Sequence, residues 1–226
     1  MKTFKFITLC FCTIIAGSVT AQSRLVKNLE KGEDQTLVVY GTSITKLGSG
    51  PLWVNLVGEK LNEEFDNHLT LYNRGGSGRN SQWATQNFRD SVLSVNPSTV
   101  IFEFSVNDAV ERFDIEPEQS KKNTQWMIDR LKEIDAEIIL LVVASNPLRE
   151  AATKRPNLEA YINGYRELAE ENEIQLIDFS PVWKDILEKQ CEKAFMQFLS
   201  DGVHPTKRGA TEKLAPIVTE ALIKGK

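Results

Sequence analysis

The sequence predicts an α/β protein built on a parallel sheet with helices on both faces. Three observations carry this reading. Five short apolar runs recur along the chain, and most are continuous rather than alternating, as strands covered on both faces require. Between them lie segments with apolar residues at helical spacing, and strands alternating with helices mean right-handed crossovers. Cys191 is the only cysteine outside the N-terminal leader, so stability rests on a hydrophobic core rather than on disulfides.

The elements follow in order. Residues 1–21 read as a signal peptide. Lys2 and Lys5 form a basic start, Phe6 to Ala16 an apolar stretch, and Val19-Thr20-Ala21 a small-residue cleavage site. That stretch is shorter than the roughly 20 apolar residues that span a bilayer. Leu9 and Phe11 precede the two leader cysteines, where a lipid-anchor signal would carry a small residue. Export with cleavage after Ala21, to the periplasm or the medium, is the expectation, with no integral membrane segment left. Residues 22–35 read as a polar N-terminal arm, and residues 36–226 as one domain.

The strand candidates are Thr36–Tyr40, Leu69–Asn73, Thr99–Phe104, Glu137–Ala144 and Ile174–Phe179. Pro51 opens an amphipathic stripe of Trp53, Leu56, Val57, Leu61 and Phe65. A weaker helical pattern spans Ser81 to Leu93, and another surrounds Trp126, Met127 and Leu131. Two more stripes run from Leu158 to Ala169 and from Ala210 to Leu222. Trp183, Leu187 and Cys191 recur at every fourth residue, which predicts a buried cysteine.

The chain carries a net charge of −4 without any block of like charge, which argues against nucleic acid as a partner. Two histidines and one cysteine, well separated, cannot build a usual zinc site. No metal or organic cofactor is expected. The sequence does not define the oligomeric state.

In sheets of this kind ligands bind beyond the carboxyl ends of the strands. The segments there are "GTSITKLGSG", "RGGSGRNS", "SVNDAVERF", "SNPLREAATKRP" and the later "LSDGVHPTKRG". The last holds Asp201 three residues before His204. A carboxylate at that spacing can close a short turn onto one imidazole nitrogen and leave the other free as a base. Pro205 keeps His204 extended at the mouth of the final helix. His68 precedes a strand at the opposite edge, so His204 is the catalytic candidate.

A serine hydroxyl needs a base to become a nucleophile, and Ser43 follows the first strand at the same edge as His204. Attack on a carbonyl creates an oxyanion, for which Ser43 N–H, Gly78 N–H and the Asn107 amide are candidate donors. Singly, Ser43, Gly78 and Asn107 each also fit an ordinary turn.

Four blocks, "GTSIT", "SGRNS", "VND" and "DGVHP", occur in this order over nearly the whole chain after the leader. Together they resemble the SGNH hydrolases, the GDSL-type esterases and lipases. The resemblance implies Ser43 as nucleophile, Gly78 and Asn107 completing the oxyanion hole, and Asp201 and His204 as acid and base. It also implies the fold, a three-layer α/β/α sandwich on a flavodoxin-like five-stranded parallel sheet. Two positions depart from the family pattern: Thr42 stands where it has aspartate, and Ser105 where it has glycine.

The expected activity is hydrolysis of small-acyl esters, acetyl foremost, on carbohydrate or another small molecule. A lysophospholipase or acyl thioesterase could use the same residues. A non-catalytic flavodoxin-like binding module with "GTSITKLGSG" cradling a phosphate is a rival of another class, although the loop lacks the lysine-serine ending of a P-loop. Among the basic residues of the active edge, Lys46, Arg79 and Arg149 are candidates for holding an anionic ester. Alternatively these residues, with Arg74 and Arg112, pair with Glu103, Asp108, Glu111 or Asp114.

Overall fold

The computed structural model describes residues 22–225. The expected signal peptide lies outside the described residues. Strands β1 (Gln35–Gly41), β2 (Leu69–Asn73), β3 (Thr99–Glu103), β4 (Glu137–Val142) and β5 (Gln175–Asp178) form one all-parallel sheet. Its order is β2-β1-β3-β4-β5, that of flavodoxin-like sheets.

The central strands β1, β3 and β4 are largely apolar because both of their faces are covered, whereas the edge strands β2 and β5 are only partly buried. Successive side chains point to opposite faces. Leu37, Val39, Ile101, Ile139, Leu141 and Ile177 enter one core with residues of the helices Arg24–Leu29, Gly50–Glu64, Ser180–Lys189 and Ala215–Lys224. Val38, Tyr40, Val100, Phe102, Ile138 and Leu140 enter the other, with residues of Ser81–Gln86, Pro117–Lys132 and Leu158–Asn172. The result is three layers. Prolines occupy first-turn positions in three of these helices, at Pro51, Pro117 and Pro181, where a missing N–H costs no intrahelical bond.

The structure corrects three expectations. The stretch read as a polar arm contains the helix Arg24–Leu29, with Leu25, Val26 and Leu29 buried in the core. Three apolar residues in one and a half turns were too few to stand out against polar neighbours. The pattern from Ser81 to Leu93 is broken at Asn87 into Ser81–Gln86, Phe88–Ser91 and a 3₁₀ turn. Cys191 is exposed, because the helix carrying Trp183 ends at Lys189 and Cys191 has extended backbone. The helical spacing therefore stops short of it.

Strand register sets up the site. Gly41 pairs with Glu103 at the carboxyl ends of β1 and β3. These strands are neighbours although β2 lies between them in sequence, so the switch point of the sheet falls here, where α/β sheets bind ligands.

Candidate active site

Ser43 owes its position to the residue before it. Thr42 caps the one-turn helix Ser43–Lys46, its hydroxyl accepting from Ile44 N–H at 3.2 Å. The same hydroxyl and the Thr42 N–H both donate to Glu103 Oε2, at 2.8 and 3.0 Å. Glu103 is buried at the end of β3. Burial pushes its carboxyl up to about 8, against the opposing effect of the two Thr42 donors. An aspartate in place of Thr42 would set a second carboxylate against Glu103, so the threonine is matched to its buried neighbour.

Asp201 and His204 form a self-contained turn. Asp201 Oδ1 accepts from Val203 N–H at 2.9 Å and His204 N–H at 2.7 Å. Its other oxygen lies 2.8 Å from His204 Nδ1. Burial alone would raise the Asp201 carboxyl. The hydrogen bonds from the His204 ring and from the two backbone N–H groups instead hold it well below the usual carboxylate range. An ionised carboxylate only accepts, so Nδ1 carries the proton and Nε2 is free to accept. Ser43 Oγ lies 2.8 Å from that Nε2. Ser43, His204 and Asp201 thus form one hydrogen-bonded chain, although 161 residues separate Ser43 from His204. His68 sits beyond the other edge of the sheet, bonded to Asp34.

Gly78 and Asn107 lie on adjoining loops tied together. Asn107 Nδ2 donates to Arg79 O at 2.8 Å, and its second amide hydrogen remains for a ligand. Gly78 has φ +68, with open space where a Cβ would stand. Among the described residues, neither Ser43 N–H nor Gly78 N–H donates to another backbone carbonyl. Asp108 fixes this arrangement from behind. Buried, it accepts from Ser81 N–H at 2.7 Å and from the Ser120 hydroxyl. Burial raises its carboxyl to about 6, against these bonds.

The basic residues do not gather as the sequence suggested. No pairing of Lys46, Arg74, Arg79, Arg112 or Arg149 with Glu103, Asp108, Glu111 or Asp114 occurs among the described residues. Arg79 is exposed, its guanidinium 5.1 Å from the Trp83 ring, and Lys46 points to solvent. Arg149 is exposed and pairs with Glu192 at 3.8 Å. It lines a cleft of about 380 Å³ together with Asn107, Asp201 and His204. Lys46 and Arg79 do not line that cleft. Trp53 is fully buried, donating to Ile44 O at 3.0 Å, and so braces the Ser43 turn from the core.

Sequence reasoning missed the anchoring roles of Glu103 and Asp108 and passed over Arg155. The signal for Glu103 was an acid ending a wholly apolar run. Arg155 donates from Nε to Val106 O at 2.7 Å and from Nη1 to Ala151 O at 2.9 Å. Among the described residues no group of three or more His, Cys, Asp and Glu could hold a metal ion. No helix among them is long and apolar enough to cross a membrane.

The profile of the GDSL-like Lipase/Acylhydrolase family matches residues 39–211. No curated protein matches the chain. Among solved structures, a protein described as a GDSL-like lipase from Parabacteroides merdae superposes with a TM-score of 0.72 at 20% identity, covering 84% of this chain and 96% of that one. A catalytic mutant of an acetylxylan esterase from Geobacillus stearothermophilus gives 0.71 at 19% identity, over 84% and 94%. A lipase/acylhydrolase from Enterococcus faecalis gives 0.69 at 21%, over 84% and 96%. At such identities the likeness establishes the fold.

Proposed function

The chain belongs to the GDSL-like Lipase/Acylhydrolase family and is a hydrolase acting on ester bonds, and we propose that it is an exported serine esterase removing small acyl groups, acetyl above all, from carbohydrate. The observation that carries the serine mechanism is the hydrogen-bonded chain from Ser43 Oγ through both ring nitrogens of His204 to Asp201.

In the proposed cycle His204 Nε2 takes the Ser43 proton as Oγ attacks the ester carbonyl. Asp201 holds the ring and stabilises the imidazolium. The carbonyl oxygen, now negative, is met by the Ser43 and Gly78 N–H groups and by the Asn107 amide. Collapse of the tetrahedral intermediate breaks the bond to the alcohol, which leaves with the proton from His204. Water then gives a proton to His204 and attacks the acyl-serine, and the acid is released as Ser43 recovers its hydrogen.

The preference for a small acyl group draws on two supports. No long apolar insertion in the sequence suggests a lid or acyl tunnel, and a structural neighbour is an acetylxylan esterase. Export rests on the leader read in residues 1–21.

A fluorophosphonate probe should label folded protein at Ser43, and Ser43→Ala should take no label. Hydrolysis of nitrophenyl esters should be fastest for acetate and fall as the acyl chain lengthens. A rise toward long chains would favour the lysophospholipase or thioesterase reading. An unlabelled Ser43 would favour the binding module.

A further inference from the structure

Building on the esterase reading, we infer that the cleft beside His204 binds an anionic oxygen group, carboxylate or phosphate, on the alcohol part of the ester, with Arg155 and Arg112 as its ligands. Four cations line this cleft with Asn107 and His204: Arg112, Arg149, Lys154 and Arg155. They are not equivalent. Arg149 pairs with Glu192, and Lys154 with Glu150 one helical turn away. Arg112 and Arg155 have no carboxylate within ion-pair distance among the described residues. Two guanidinium groups without an ion pair thus stand on the wall of the cleft that His204 lines.

Arg155 is the more telling of the two. It is half-buried, and its plane is fixed by bonds to the Val106 and Ala151 carbonyls. Its remaining N–H groups are left to donate elsewhere. Withdrawing a guanidinium from water without a carboxylate partner is costly unless a ligand supplies the anion. Asp201 and, more weakly, Glu103 attract it, but both Asp201 oxygens are committed to the His204 turn and Glu103 Oε2 to the two Thr42 donors. A rigid, planar fork is the geometry that grips a carboxylate or phosphate through two parallel bonds. Arg112 is exposed, stacked 4.9 Å from the Phe113 ring, and adds a second positive charge on the same wall.

The chemistry fixes which part of the substrate faces this cleft. His204 must hand its proton to the departing alkoxide, so the alcohol component lies on the His204 side. A substituent of that alcohol extends into the cleft that His204 lines.

The test compares acetyl esters of a neutral methyl hexoside, of the corresponding hexuronide and of a hexose phosphate. For at least one anionic ester, kcat/KM at low salt should exceed that of the neutral ester by about tenfold, the worth of one charge-assisted hydrogen bond. That ratio should fall towards one in Arg155→Gln and Arg112→Gln, and with added salt. Arg130→Gln, which removes a charge at the far end of the Pro117–Lys132 helix, should leave it unchanged. Because Arg155 also holds the backbone beside Asn107, Arg112→Gln is the cleaner variant; Arg112 makes no hydrogen bond among the described residues. A preference for the hexuronide assigns the site to carboxylate, and a preference for the phosphate ester assigns it to phosphate. Equal rates on all three esters overturn the anion site and leave the esterase reading intact. Failure to hydrolyse any of them, with Ser43 unlabelled, overturns both.

Discussion

Gly202 carries the turn between Asp201 and His204. Its φ is +79, a conformation L side chains rarely adopt, and an added Cβ would stand 2.4 Å from the Asn146 carbonyl. Gly202→Ala must therefore move the turn relative to the loop after β4, to which Leu148 N–H ties Asp201 O at 3.0 Å. Displacing His204, the proposed base, by about 1 Å would cost on the order of 10²-fold, so kcat/KM should drop by about that factor while the KM for a small acetyl ester changes little. Asn107→Ala removes the proposed oxyanion donor and the bond to Arg79 O together. Its kcat should fall by about 10²–10³-fold, and a fall under tenfold would take Asn107 out of the oxyanion hole. At this scale the sequence was most readable where the geometry is local. Ser43 stands next to its strand end, and Asp201 and His204 lie within one turn. Arg155, Asp108 and Glu103 were opaque because what defines them is a distant carbonyl or a depth of burial, which no local spacing encodes.

Elements were readable wherever their burial is periodic. All five strands were legible, their ends differing from the expected ones by at most two residues, and the three central ones most plainly, because a strand buried on both faces needs a continuous apolar run. The helix Arg24–Leu29 was not, since it is short and its stability comes from docking rather than from its own sequence. Ser23 caps it, its hydroxyl accepting from Val26 N–H at 3.2 Å. The Glu137 carboxylate at the start of β4 accepts from Arg24 N–H at 2.6 Å and Leu25 N–H at 2.8 Å. Leu25 and Val26 are wholly buried behind this attachment. Leu25→Ala should therefore cost about 2–5 kcal/mol of unfolding free energy, read as a lower denaturant midpoint with the slope unchanged. A loss under about 0.5 kcal/mol, normal for a surface substitution, would return this segment to the status of a loose arm. The final helix holds a further feature that periodicity hides. A π-helical turn at Ala210–Leu214 precedes Pro216, whose missing N–H leaves the regular ladder incomplete there.

For the whole molecule the buried carboxylates set the response to pH. Glu103 is held above its ordinary range, to about 8, and Asp108 to about 6, in both cases chiefly through burial. Between the unfolded and folded values the native state binds more protons than the unfolded chain, so unfolding free energy falls as pH rises through that window. Asp201 acts in the opposite direction. Its carboxyl is held low by the bonds from His204 and Val203, so its contribution is present above the unfolded value and is lost only in acid. The windows separate the contributors: Asp108 acts from about 3.8 to 6, whereas Glu103 continues from about 4.5 to 8. Glu103→Gln keeps a carbonyl acceptor for the two Thr42 donors and removes the titration. Denaturant midpoints for wild type should decline between pH 6 and pH 8, and those of Glu103→Gln should decline less, so that the variant gains relative to wild type as pH rises. The acid behaviour governed by Asp201 should be common to both. Parallel curves across that interval would mean that Glu103 is already ionised beneath the Ser43 turn, with the Thr42 donors rather than a proton keeping it there.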